Sequence, residues 1–147
     1  MEDTLIIIKP DAVKKNVIGN ILSRFESNNL KIKELKMMML SKEKAEEFYF
    51  PHKNKPFFNE LIKFITSDKI VAAILEGNDA IRQVRELIGS TNPKDAKTNT
   101  IRRDFGTNLT QNAIHASDSY ESFIREVKII FPDYIVKTTS SSSIRSC

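Results

Sequence analysis

The first apolar segment of the chain is Leu5-Ile6-Ile7-Ile8, a largely β-branched run too short for a helix and followed by Lys9-Pro10. Such a run reads as a strand buried on both faces. Pro10 cannot continue a central strand, but its fixed φ suits the opening of a helix. Ile18, Ile21, Leu22 and Phe25 recur at helical spacing, which predicts a helix over roughly 12–28 with Asn28-Asn29 as its stop. From Leu30 to Leu40 the period drops to two. Leu35, Met37 and Met39 share one face while Leu30 and Ile32 take the other phase, so a bulge or a late strand start is expected.

Ser41 is a good N-cap for a short helix containing Ala45, Phe48 and Tyr49. Phe57, Phe58, Leu61, Ile62 and Ile65 then mark a second amphipathic helix, and Ser67-Asp68 turns the chain into a strand over Ile70 to Leu75, closed by Gly77. Ala80, Ile81, Val84, Leu87 and Ile88 form another helical stripe, with Gly89 in the favoured position just past its end. Residues 90–111 show no sustained apolar period, and a loop that long inside a compact domain is usually functional or disordered. Ala113-Ile114 is a short apolar patch. Asp118 with Glu121 resembles a capping box ahead of a final helix through Tyr120, Phe123, Val127 and Ile130, stopped by Pro132. The serine-rich tail reads as frayed. No repeat or linker divides the chain, and the alternation of strands and helices predicts one layered α/β or α+β sandwich.

Composition narrows the class. With 147 residues, the chain has the size of one domain. Its apolar runs fall far short of the ~20 residues that span a bilayer, and no basic stretch precedes the first of them as a secretory signal would require. Cys147 is the single cysteine and cannot close an internal disulfide; with only His52 and His115, a structural zinc site is not expected. The expectation is a soluble cytoplasmic protein that does not engage a membrane. The formal net charge of +4 suits an anionic partner, yet Lys14-Lys15 and Arg102-Arg103 are the only adjacent basic pairs, so a solvated mixed-charge surface explains most of it.

Neither glycine-rich phosphate-loop pattern occurs, so phosphate would have to be held by side chains. The densest polar stretch runs from Asn112 through His115, Ser117 and Asp118 to Ser119. His115 stands beside the predicted start of the last helix, where free N–H groups favour an anion. A neutral imidazole there can attack an electrophilic phosphorus, provided that its other nitrogen is fixed by an acceptor; Glu126 or Ser117 could supply one. A capping or hydrogen-bonded structural histidine is the competing reading. Arg85, Thr91, Arg102 and Arg103 bracket the long loop, and arginine forks match phosphate oxygens; ordinary surface charge is the alternative. Lys9, at the end of the first strand, sits where ligands are often held, although lysines there are usually just solvated. Phe57-Phe58 reads as core more readily than as a stacking shelf, although adjacent helical positions cannot both point inward.

The stretch Asn112 to Asp118, Asn-x-x-His-Ala-Ser-Asp, resembles the active-site signature of the nucleoside diphosphate kinases. Lys9-Pro10-Asp11, Tyr49, Pro56-Phe57-Phe58, Gly89 through Thr91-Asn92-Pro93, and Thr100-Ile101-Arg102 with Asp104 follow in that family's order, so the resemblance covers residues 4 to about 131. It implies an α+β, ferredoxin-like βαββαβ domain over residues 1–136 with an antiparallel four-stranded sheet, and a flexible tail over 137–147. It also implies a ping-pong transfer of the γ-phosphoryl group from a nucleoside triphosphate to a nucleoside diphosphate, tolerant of every base. By position, His115 would be phosphorylated and Glu126 and Ser117 would orient it, with Tyr49 near the transferred group. Phe57 would stack on the base beside Leu61 and Leu109. Lys9 and Asn112 would hold the sugar hydroxyl and phosphates, and Arg85, Thr91 and Arg102 the phosphates, with Mg²⁺ carried in on them. A homo-oligomer is implied, hexameric in preference to tetrameric.

Three positions depart from the family's pattern: Lys55 stands where an arginine is common, and Asn99 and Arg103 where glycines are. These bear on loop conformation and nucleotide affinity. Two other classes compete: a basic ferredoxin-like nucleic-acid-binding module using Phe57 or Phe58 for stacking, and a catalytically inactive interaction subunit. The first leaves the stretch from Asn112 to Asp118 without a purpose, and His115 argues against the second, so nucleic acid is not the expected partner.

Overall fold

In a computed structural model, which describes residues 1–136, the opening apolar run forms the heart of β1 (Glu2–Ile8), and Leu5, Ile6, Ile7 and Ile8 are all fully buried. The reason is position in the sheet. β1 pairs antiparallel with β3 (Ile70–Gly77) on one side and with β4 (Ile114–Ala116) on the other, while β2 (Lys31–Met38) pairs with β3 at the edge, giving the order β2-β3-β1-β4. Alternate side chains therefore enter separate cores. Leu5 and Ile7 pack with α3 (Lys42–Phe48), α4 (Phe58–Ile65) and α7 (Tyr120–Ile130), while Ile6 and Ile8 pack with α2 (Ile18–Glu26) and α5 (Ala80–Ile88). This is the expected α+β ferredoxin-like βαββαβ arrangement, with α3 and α4 added between β2 and β3. Among the described residues no helix is long and apolar enough to cross a membrane. The expected tail, residues 137–147, lies outside the described residues.

Several local expectations hold with their causes visible. Ser41 caps α3, its hydroxyl accepting from the Lys44 N–H at 3.2 Å, and the register of β2 against β3 shifts between Ile32 and Glu34 as the change of apolar phase requires. Other expectations need correction. The single helix over 12–28 is two, α1 (Pro10–Lys14) and α2, because Asn16 takes a left-handed φ of 60° between them. The loop 90–111 is not featureless: it holds a 3₁₀ turn over Pro93–Asp95 and the short helix α6 (Ile101–Phe105). The final helix is capped by Ser119, whose Oγ accepts the Ser122 N–H at 3.0 Å, and Asp118 instead accepts the Ser122 hydroxyl at 2.6 Å. The face of Leu35, Met37 and Met39, which the apolar period would turn inward, is open: these residues are 50 %, 51 % and 55 % exposed along the edge strand.

Gly89 ends α5 with φ 89° and ψ −176°, a region essentially confined to glycine that costs a side-chain-bearing residue roughly 1–3 kcal/mol. A Cβ there would lie 2.6 Å from Thr100 Oγ1, the hydroxyl that caps α6 by accepting from the Arg103 N–H at 3.3 Å. Gly89→Ala should therefore lower unfolding stability by about 1–3 kcal/mol in urea titration. A midpoint equal to that of the parent would mean that the loop absorbs the extra carbon without strain.

Candidate active site

The ends of β1 and β4 bring distant segments together. Lys9 flanks α1 and is 5 % exposed; its N–H donates to the Ala113 carbonyl at 2.9 Å, and its Nζ donates to Asn112 Oδ1 at 2.8 Å. Asn112 Nδ2 in turn donates to the Thr91 carbonyl at 3.0 Å, tying the long loop to the strand end. Ala113 is held at φ 76°, and the buried Asp11 carboxylate accepts its N–H at 3.0 Å, so a strained backbone position is braced by a side chain two residues past Lys9. Burial raises the pKa of Asp11 against the opposing pull of Lys9.

β4 carries His115 opposite Ile7, on the side of the sheet covered by α3 and α7. Its ring meets Phe48 edge-on with centroids 4.9 Å apart and faces Tyr49 at 6.5 Å. His115 Nε2 is 3.0 Å from Glu126 Oε1, and Ser117 Oγ donates to that same oxygen at 2.7 Å. Glu126 projects from the middle of α7 and is 4 % exposed. Burial alone would push its pKa up, but the His115 ring, the hydrogen bonds from His115 and Ser117, and Arg125 together hold it below the ordinary value. An ionised carboxylate only accepts, so Nε2 carries the ring proton and the lone pair lies on Nδ1.

A cleft of about 900 Å³ opens over this group, and every residue that the resemblance assigns to the site lines it except Ser117, which is buried behind Glu126. Lys9, Arg85 and Arg102 are three of the six cations that line the cleft. Burial and the charge of Arg102 lower Lys9 to about 8, although Asp11 pulls the other way. Arg102 is lowered to about 10 by burial and by Arg85. Arg102 spends Nη1 on the Gly89 carbonyl (3.0 Å) and Nη2 on the Ile114 carbonyl (2.8 Å), while Nε is buried without a partner. Arg85 is exposed and touches the Ala116 carbonyl at 3.2 Å. Like charges held this close destabilise one another until an anion arrives. Tyr49 Oη is also buried without a hydrogen-bond partner, and burial, followed by the charge of Glu126, raises its pKa so that it keeps its proton.

At the far end, Phe57 and Leu109 stand 41 % and 59 % exposed with Leu61 half-buried beside them. Phe57 precedes α4 instead of lying within it, which turns its ring outward while Phe58 packs on the core. Sequence reasoning overlooked His52, whose ring stands 5.9 Å from Phe57 and 6.4 Å from Tyr49; its only signal was a position three residues after Tyr49. Burial, then Lys55 and His115, lower its pKa. Lys55 lies over the Phe57 ring at 5.7 Å, Asn99 adopts φ 72°, and Arg103 donates to the Lys94 carbonyl at 3.0 Å outside the cleft lining, so it adds no cation to the cleft.

The family model "Nucleoside diphosphate kinase" matches residues 2–136. The chain belongs to this family. Nucleoside diphosphate kinases from Staphylothermus marinus and Campylobacter jejuni are each 54% identical to it, over 132 and 131 residues, covering 90% and 89% of the chain and 94% and 96% of theirs. The crystal structure of the nucleoside diphosphate kinase of Aquifex aeolicus superposes with a TM-score of 0.87 at 52% identity, covering 88% of this chain and 94% of that one. That of Halobacterium salinarum, solved in complex with CDP, gives 0.87 at 39% identity and covers 99% of both chains. As a nucleoside diphosphate kinase, the chain is a phosphotransferase acting on nucleoside di- and triphosphates.

The lowered pKa of Lys9 has a consequence for stability. Between about 8 and its ordinary 10.5, the unfolded chain holds a proton at Lys9 that the folded chain has released. Folding is then favoured as pH rises, because the penalty of burying the charge disappears. The stability of the parent relative to Lys9→Met should climb by up to about 3 kcal/mol across that window, read by urea unfolding at a series of pH values. A difference that stays flat would mean that Lys9 titrates as it does in water.

Proposed function

We propose that His115 is the phosphoryl carrier of a two-step exchange. Its Nδ1 lone pair attacks the γ-phosphorus of a nucleoside triphosphate, the bond from that phosphorus to the β–γ bridging oxygen breaks, and the nucleoside diphosphate leaves with that oxygen. A second nucleoside diphosphate then attacks the phosphohistidine through a terminal oxygen, and the imidazole is released unchanged. The observation that carries this reading is the single Glu126 oxygen shared by His115 Nε2 and Ser117 Oγ, which fixes the tautomer and the plane of the ring. As Nδ1 becomes bonded, the ring gains positive charge, which the ionised Glu126 stabilises. Tyr49 stays protonated and can donate to the group in flight.

Lys9 and Asn112 serve the sugar hydroxyl and phosphates, and Arg85, Thr91 and the unpartnered Nε of Arg102 serve the phosphates. Phe57 stacks on the base with Leu61 and Leu109 against it, and stacking without edge contacts tolerates every base. The divalent cation, Mg²⁺ in this reading, comes as part of the nucleotide and neutralises phosphate charge. That fits the acids present: Glu126 is committed to His115 and Ser117, Asp118 to Ser122, and among the described residues no group of three His, Cys, Asp or Glu could hold an ion. Convergence of the cations in a cleft, instead of across an open face, favours a mononucleotide over a nucleic-acid strand.

We infer also that the enzyme works in the cytoplasm as a homo-oligomer, a hexamer in preference to a tetramer, with the β2 edge as one contact. Its support is the open apolar row of Leu35, Met37 and Met39 on a strand whose outer side has no neighbour in the sheet.

Incubation with γ-labelled ATP should give an acid-labile, alkali-stable phosphoryl group on the parent and none on His115→Ala, which should also lose transfer to a second nucleoside diphosphate. Transfer surviving in the variant would remove His115 as nucleophile. For the assembly, Leu35→Lys with Met37→Glu should sediment as a smaller species than the parent. An unchanged sedimentation coefficient would take the β2 edge out of the interface.

A further inference from the structure

The proposed base slot has walls from distant parts of the chain. Phe57 and Leu61 belong to the α4 side and Leu109 to the loop 107–111, and the exposure of Phe57 and Leu109 means that core packing does not set the distance between them. A direct link crosses the mouth: Thr110 Oγ1 donates to Glu60 Oε2 at 3.0 Å. Glu60 lies in the first turn of α4, and Thr110 follows Leu109. The loop has internal bonds of its own. The N–H groups of Thr107 and Asn108 donate to the Gln111 carbonyl at 2.7 and 3.2 Å, and Asn108 Oδ1 accepts from the Thr110 and Gln111 N–H groups at 3.0 and 2.8 Å. Lys15 Nζ anchors the start of the turn by donating to Thr107 Oγ1 at 3.2 Å, and the contact at the Thr110 hydroxyl places the end that carries Leu109.

We propose that the Glu60–Thr110 hydrogen bond is a latch that sets the width of the base slot, making Glu60 and Thr110 positioning residues for the nucleobase; this rests on assigning the slot to the base. Stacking reads no base edge, so the spacing of the walls is what the protein controls at this end of the nucleotide. A gap held at one width before binding spares the ordering that a loose loop would need. The carboxylate acceptor makes the link stronger than a neutral pair.

Steady-state transfer by the full chain, with the nucleoside diphosphate varied, tests the latch. Thr110→Val should raise KM about two- to five-fold while kcat holds, the size expected for one exposed hydrogen bond. Thr110→Ser, which keeps the hydroxyl, should restore the parent KM. Thr110→Val should add nothing in a Glu60→Ala background, because the partner is already gone. Equal effects of Val and Ser, or multiplying effects of the two truncations, would overturn the latch. Phe57→Ala separates the two ideas: it should raise KM whether or not the latch exists, and an unchanged KM would remove the base slot and the latch with it.

Discussion

The antiparallel pairing of β1 with β4 is the constraint on which the cleft depends. It sets Ile7 opposite His115, and beyond the strand proper it continues through the Lys9 N–H on the Ala113 carbonyl and the Ser117 N–H on the Leu5 carbonyl. Because side chains alternate along a strand, a slip of one residue would move His115 to the other face of the sheet, away from Glu126. The slip is opposed by both cores at once. Ile6 and Ile8 would leave one buried cluster and Leu5 and Ile7 the other, and each such side chain contributes roughly 1.5–3 kcal/mol on burial. The apolar run Leu5 to Ile8 of this central strand thus serves as the registration device for a polar site.

On that register the polar groups act in two tiers. In the proposed reading Glu126 and Ser117 need not touch substrate: Ser117 bonds Glu126, and Glu126 holds one nitrogen of the histidine so that the other is free. Asp11, Asn112 and Arg102 hold backbone: the Ala113 N–H, the Thr91 carbonyl, and the carbonyls of Gly89 and Ile114. The four cleft-building segments are thereby tied to one another through buried side chains, and the cations that do this tying also supply the positive field. The cost is the burial of these charges, followed by repulsion of Lys9 by Arg102 and of Arg102 by Arg85, and both effects lower the pKa values of Lys9 and Arg102. In the proposed reading a bound polyphosphate would offset that cost.

Much of this was legible in the sequence because it is local. The buried run Leu5 to Ile8, the Ser41 cap and Gly89 past α5 are patterns of a few neighbouring residues, and the structure keeps each. The Asn112–Asp118 stretch was legible as a candidate site because its polar residues are contiguous in the chain and resemble a family signature. What escaped was decided by tertiary contact. The break at Asn16 is a single left-handed residue that no apolar period reports. The α6 segment is too short for a period, and its helix rests on the Thr100 cap and on Arg102 reaching two carbonyls. His52 joined the site only because the 3₁₀ turn Phe50–His52 swings it between Tyr49 and Phe57. The exposed Leu35, Met37 and Met39 followed the right period but faced outward, since periodicity identifies an apolar face and not what covers it.

The two ends of the cleft follow opposite physical strategies, and the reaction requires both. In the proposed reading the groups at the phosphate end are mostly buried and several are doubly held, as in the shared oxygen of Glu126 and the two carbonyls on Arg102, because attack on phosphorus tolerates little misalignment. At the base end the walls are exposed apolar side chains joined by a hydrogen bond at the surface. An enzyme that must accept one nucleotide, release it and accept another gains nothing from tight readout of the base, since uniform binding slows departure without helping the chemistry. Rigidity is concentrated where bonds change, and adaptability where the substrates differ.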